Sequence, residues 1–128
     1  MGAKKNKKIC IVDDAEMILE MYTFKFKQSG YDVVTAKDGV EGYDVISKEK
    51  PDLAIIDIVM PKLNGLDLVK KMKANPELKK LPLIILTNLD SPKEKRQASK
   101  LGVLFFLVKP QFIPSKLVEI VDEILFNR

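Results

Sequence analysis

Asp57 closes an almost purely apolar run, "LAIID" over residues 53 to 57. A run of that kind between Pro51 and Pro61 predicts a strand covered on both faces, where a carboxylate without a partner is costly. Something must reward it. Asp13 and Asp14 end the first apolar run, "KICIVD" over 8 to 13; Thr87 ends "LPLIILT" over 81 to 87, and Lys109 ends "LFFLVK" over 104 to 109. The chain has no histidine, which removes Ser–His–Asp and Cys–His triads, histidine zinc sites and the commonest general base. Chemistry here runs on carboxylates, Lys and Thr.

Five apolar runs alternate with helix-length amphipathic segments, the remaining run being "YDVVTA" over 31 to 36. The spacing predicts helices over about 15–29, 39–48, 65–74, 92–101 and 114–126. Gly30, Asp38-Gly39, Asn64-Gly65, Ser91-Pro92 and Pro114 punctuate them. Five strand-then-helix units imply an α/β fold, a parallel sheet with helices on both faces, because parallel neighbours need right-handed crossovers. In such a sheet ligands bind outside the carboxyl ends of the strands. Asp13, Asp14, Asp57, Thr87 and Lys109 all fall at that edge. Like charges so placed raise one another's pKa unless a cation sits among them, so the three acids ask for a hard, oxygen-preferring ion such as Mg²⁺. Aspartates also cap helices that follow strands, but three acids, a Thr and a Lys at one edge argue for a site.

With 128 residues, 46% of them hydrophobic, residues 1–128 read as one domain with residues 1–7 as a basic extension. Nothing resembles a signal peptide or a transmembrane stretch, so a cytoplasmic setting is expected, with no membrane partner. Cys10 lies inside an apolar run and reads as a buried thiol. The net charge of +4 is nearly all Lys, with only Arg96 and Arg128 to supply forks, and it is scattered along the chain. It reads as a solvated surface, so no direct nucleic-acid binding is expected.

The motifs "VDD" (12–14), "DIVMPKLNG" (57–65), "LT" (86–87) and "VKP" (108–110) resemble, in order and spacing, those of the receiver domains of bacterial two-component response regulators. The match runs from about Lys7 to Phe126. The resemblance implies a flavodoxin-like doubly wound (βα)5 fold with strand order 2-1-3-4-5. It implies that Asp57 is the phosphoacceptor, supplied by a sensor histidine kinase or a phosphotransfer protein. Asp13, Asp14, Asp57 and the backbone carbonyl of Val59 would then hold Mg²⁺, Thr87 would bond a phosphoryl oxygen, and Lys109 would pair with the phosphate. Thr87 and Phe106 would form the switch, and a cis peptide between Lys109 and Pro110 would aim the lysine. The chain would be a signalling switch with self-catalysed phosphoryl transfer and slow autodephosphorylation, not an enzyme.

Within that likeness the sequence has its own features. Ala15 stands where a third acid often follows the pair, Asn88 where a small residue is usual, and Val59 and Leu89 where polar residues occur in fast-hydrolysing members. The helix after Thr87 offers only Ala98 and Leu101 as an apolar pair, so little burial should anchor it. Leu104 and Phe105 are adjacent, so strand alternation should leave one inside and one exposed. With Lys93, Lys95, Lys100 and Lys116 around it, the exposed one would mark the face of the fourth helix, fifth strand and fifth helix as a surface for a homodimer or a target protein. Two other readings compete with this one. A Mg²⁺-dependent phosphatase with an Asp nucleophile would need a second acid where Val59 stands. A flavodoxin-like cofactor binder would need a Gly/Ser/Thr-rich phosphate loop where "VDD" stands.

Overall fold

The computed structural model describes residues 6–109 and 113–126. Strands β1 (Lys8–Val12), β2 (Asp32–Ala36), β3 (Leu53–Ile56), β4 (Leu83–Thr87) and β5 (Phe105–Val108) alternate with helices α1 (Glu16–Gln28), α2 (Gly39–Glu49), α3 (Gly65–Lys73), α4 (Pro92–Lys100) and α5 (Pro114–Phe126). All strand pairs are parallel, in the order β2-β1-β3-β4-β5. Both the elements and the order are those expected. The Lys109–Pro110 peptide, expected to be cis, lies outside the described residues.

Period-2 alternation sorts the strand side chains into two cores. Cys10, Val12, Ala54, Ile56, Leu83 and Ile85 pack with α2, α3 and α4. Ile9, Ile11, Leu53, Ile55, Ile84 and Leu86 pack on the other face with α1 and α5. Burial holds the Cys10 thiol up to about 12, so it is inert packing rather than a nucleophile. No helix among the described residues is long and apolar enough to cross a membrane.

Helix ends follow their local chemistry. Asp38 and Asn64 cap α2 and α3 by accepting from the N–H groups of Glu41 and Asp67. Glu41 returns the contact to the N–H of Lys37 at 2.6 Å. Gly30 leaves α1 with φ 100°, a conformation that disfavours a side chain. As expected, α4 buries only Ala98. The expectation for Leu104 and Phe105 fails: both are exposed, at 52% and 43%. Leu104 sits in a bend before β5, outside the alternation, and β5 is an edge strand, so Phe105 lies at the open margin of the sheet.

Gly65 supplies the tightest constraint near the acid edge. A Cβ there would stand 2.0 Å from the carbonyl oxygen of Asp57 and 2.9 Å from Cα of Ile58. Its N–H donates to the Ile58 carbonyl at 2.9 Å, pinning the start of α3 to the end of β3. Gly65→Ala is expected to cost about 1–3 kcal/mol through backbone displacement. An unchanged midpoint in urea unfolding would contradict this close approach.

Candidate functional site: an acid pocket closed by a lysine

Register brings the acids together. Val12 pairs with Ile56, so the next residues, Asp13 and Asp57, leave adjacent central strands side by side. The N–H of Asp57 donates to the Val12 carbonyl at 2.9 Å, and that of Asp13 to the Ala36 carbonyl at 3.0 Å. Thr87 pairs with Val108, placing Thr87 and Lys109 at the same edge. Asp13, Asp57 and Thr87 are the buried polar or charged residues among those described.

Lys109 closes the pocket. Its ammonium lies 2.8 Å from Oδ2 of Asp13 and 3.1 Å from Oδ2 of Asp57, all three side chains being nearly sealed from solvent. The other oxygens meet backbone donors: Oδ1 of Asp57 accepts from the N–H of Ile58 at 2.7 Å, and Oδ1 of Asp13 from that of Ala15 at 2.9 Å. Burial pushes the Asp13 carboxyl above the usual range, although Lys109 and the Ala15 N–H pull the other way. Burial also works against the Lys109 ammonium, yet its bonds to Asp13 and Asp57 outweigh that and hold it above its ordinary value.

Asp14 is exposed, and with Asp13 and Asp57 it completes a group in which one carboxylate oxygen from each residue lies within 4.8 Å of the others. An all-oxygen donor set carrying three negative charges against one lysine fits a hard divalent cation. Val59, whose carbonyl the resemblance adds to that set, is exposed beside the pocket. No second acid stands at its position, which counts against the phosphatase reading.

Thr87 is buried, and its Oγ1 accepts from the N–H of Leu89 at 3.3 Å, which leaves the hydroxyl proton free for another acceptor. The Leu89 side chain packs into the α2–α3–α4 core. Phe106 is half-buried against that core, with the Lys95 ammonium 5.8 Å from its ring centroid. Thr87 and Phe106, expected to form a switch, therefore lie on neighbouring strands beneath the sparsely anchored α4.

One feature escaped sequence reasoning. The outer face of α1 carries exposed Met17, Met21 and Phe24, Met17 at 84% and Phe24 at 69%. Beside it a groove of about 360 Å³ runs between Ile18, Met21 and Tyr22 on one side and Asn88, Lys109 and Ile113 on the other. The signal was available: Met17, Met21 and Phe24 recur at i, i+4 and i+7, a second apolar stripe opposite the buried Leu19, Tyr22 and Phe26.

Comparison with known proteins agrees with this geometry. The sequence profile of the family described as "Response regulator receiver domain" matches residues 9–122. The chain is 37% identical over 105 residues to the alkaline phosphatase synthesis transcriptional regulatory protein PhoP of Bacillus subtilis, covering 82% of this chain and 43% of that protein. It is 32% identical over 122 residues to a gliding motility regulatory protein of Myxococcus xanthus, covering 95% of this chain and 16% of that one. It thus spans less than half the length of these curated relatives. Among solved structures, Vibrio cholerae chemotaxis protein CheY4 superimposes with a TM-score of 0.85 at 32% identity, over 98% of this chain and 100% of that one. A putative response regulator from Chloroflexus aurantiacus gives 0.86 at 34% identity, over 94% and 98%. A chain whose parallel sheet gathers three aspartates, a threonine and a lysine at its carboxyl edge, and whose sequence matches that profile almost end to end, belongs to the receiver domains of two-component response regulators.

Proposed function

We propose that Asp57 is the phosphoacceptor of this receiver domain and that Asp13, Asp14, Thr87 and Lys109 serve it. The observation that carries the proposal is the buried Asp57 carboxylate, which shares the Lys109 ammonium with Asp13. A carboxylate oxygen of Asp57 attacks phosphorus, the P–N bond to a donor imidazole breaks, and the imidazole nitrogen keeps the electron pair. Asp13, Asp14, Asp57 and the Val59 carbonyl would hold Mg²⁺, which when bound supplies neutralisation of the phosphoryl charge. Lys109 adds a point charge on the phosphoryl oxygens, and Thr87 donates its hydroxyl to one of them.

The donor is a histidine kinase or phosphotransfer protein. Any protein that brings a phosphohistidine to Asp57 must cover the neighbouring surface, and the apolar face of α1 with the groove beside Lys109 fits that partner. On phosphorylation Thr87 is drawn toward the new oxygens and Phe106 follows into the space it leaves. The α4-β5-α5 face changes with them. Exposed Leu104 and Phe105 suit it to a second copy or a target protein.

The metal part of this reading has a test in stability. Because the folded pKa of Asp13 is raised, the stability linked to that group is present below its unfolded value and is lost as pH rises through the folded one. Neutral Asp13→Asn should therefore melt higher than wild type without metal at pH 7, the difference closing as acid protonates Asp13. Mg²⁺ should stabilise wild type by about 2.7 kcal/mol at one hundred times its Kd, and Asp13→Asn much less. Equal stabilisation of both proteins would remove Asp13 from the ligand set.

Acetyl phosphate with Mg²⁺ should add one phosphoryl group to wild type and none to Asp57→Asn. Lys109→Ala should retain metal-dependent stabilisation and respond poorly to the phosphodonor. Exposed Val59 cannot orient a water behind phosphorus, so the acyl phosphate should last minutes to hours, and Val59→Asn should shorten it. Decay of the wild-type phosphoprotein within seconds, without any phosphatase, would contradict the lifetime.

A further inference from the structure

The chain contains one Asn-Gly step, Asn64–Gly65, where the loop after β3 turns into α3. Glycine has no Cβ to hinder its own nitrogen from attacking the amide carbon of a preceding asparagine side chain. In that reaction the Gly65 nitrogen bonds to Cγ of Asn64, the bond from Cγ to the side-chain nitrogen breaks, and ammonia leaves with the proton that Gly65 gives up. Water then opens the succinimide ring at either carbonyl. One opening gives aspartate; the other gives isoaspartate, whose main chain runs through the former side chain and is longer by one atom.

Three hydrogen bonds withhold this step in the folded chain. The N–H of Gly65 donates to the Ile58 carbonyl at 2.9 Å, which engages the attacking nitrogen. The Asn64 side-chain oxygen accepts from the N–H of Asp67 at 2.9 Å, which turns the amide toward the helix. The Asn64 carbonyl accepts from the N–H of Leu68 at 2.9 Å, which fixes the peptide plane between residues 64 and 65. The backbone at Asn64 is extended, with φ −72° and ψ 167°, whereas ring closure needs the peptide C–N bond swung nearly into line with Cα–Cβ. Asn64 is exposed, so water and hydroxide reach it. What the folded state denies is the geometry, and the ring can form only when the first turn of α3 lifts away from the end of β3.

We propose that Asn64–Gly65 is a site of spontaneous deamidation gated by the fold, and that its isoaspartyl product disables the acid pocket. The aspartyl product keeps the cap, because Asp serves at that position as well as Asn does. The isoaspartyl product does not. It exchanges the main-chain and side-chain carbonyls of residue 64, so the N–H groups of Asp67 and Leu68 both lose their acceptors. Its extra main-chain atom enters directly before Gly65, where the packing has no slack: even a Cβ on Gly65 would stand 2.0 Å from the Asp57 carbonyl oxygen and 2.9 Å from Cα of Ile58. Either the first turn of α3 or residues 57 and 58 must move to admit it. Asp57 is thereby displaced from the Lys109 ammonium, now 3.1 Å away, and from the N–H of Ile58.

The test is incubation of the full chain at mildly alkaline pH, folded and in parallel unfolded in guanidinium chloride, with the mass gain and the isoaspartate at residue 64 followed by peptide mapping. The unfolded chain should deamidate there on the order of tenfold faster or more, since only the opened fraction of folded molecules reacts. After refolding and chromatographic separation, the isoaspartyl protein should unfold at lower urea than wild type and than Asn64→Asp. It should also take a phosphoryl group from acetyl phosphate with Mg²⁺ on the order of tenfold to a hundredfold more slowly, the usual consequence of misplacing a reacting group, whereas Asn64→Asp should label at the wild-type rate. The labelling difference rests on Asp57 being the acceptor. A wild-type protein that takes no phosphoryl group would count against that assignment, and the deamidation rates and urea midpoints would still decide the present one. Equal deamidation rates in folded and unfolded protein, or an isoaspartyl protein that matches Asn64→Asp in urea midpoint, would overturn the proposal.

Discussion

One ammonium between two buried carboxylates governs the arrangement of this domain. Asp13 and Asp57 leave neighbouring parallel strands at the same height, and without the Lys109 contacts at 2.8 and 3.1 Å they would face each other unscreened. Lys109 settles only part of that charge, since Asp14 adds a third carboxylate. The pocket is thus balanced enough to fold and still attractive to a divalent cation. Such residual frustration is the ordinary condition of a binding site.

The surrounding elements divide between those that hold that pocket firmly and those that are lightly anchored beside it. On the holding side, α3 starts against the Asp57 carbonyl, where Gly65 leaves no room for a side chain, and the 58–64 loop presses its Leu63 carbonyl onto Gly39 at the start of α2. The other side is lighter. Only Ala98 of α4 is buried, and the Thr87 hydroxyl oxygen is tied by one 3.3 Å contact to its own loop. Local stability is lowest where a switch must move.

Much of this was legible because strand-end chemistry survives in one dimension. Each apolar run ended in the residue that the fold delivers to the edge, and parallel register converts "VDD" and "LAIID" into a pair of adjacent carboxylates without further information. Features that depend on how helix faces are partnered were harder. The Met17–Met21–Phe24 stripe is visible as spacing, yet Leu19, Tyr22 and Phe26 give α1 a second, buried stripe, and only packing shows which one the core takes. For Leu104 and Phe105 the alternation rule presumed a strand with neighbours on both sides, whereas β5 is an edge and Leu104 precedes it.

The central claim, that the carboxylate shared through Lys109 is the one that takes the phosphoryl group, is tested most directly by locating the acyl phosphate. Protein phosphorylated in the presence of Mg²⁺ can be reduced with borohydride, which converts an aspartyl phosphate to homoserine, and then mapped by tandem mass spectrometry. The account predicts homoserine at position 57 alone. Homoserine at position 13 or 14 in wild type, with position 57 unmodified, would contradict it.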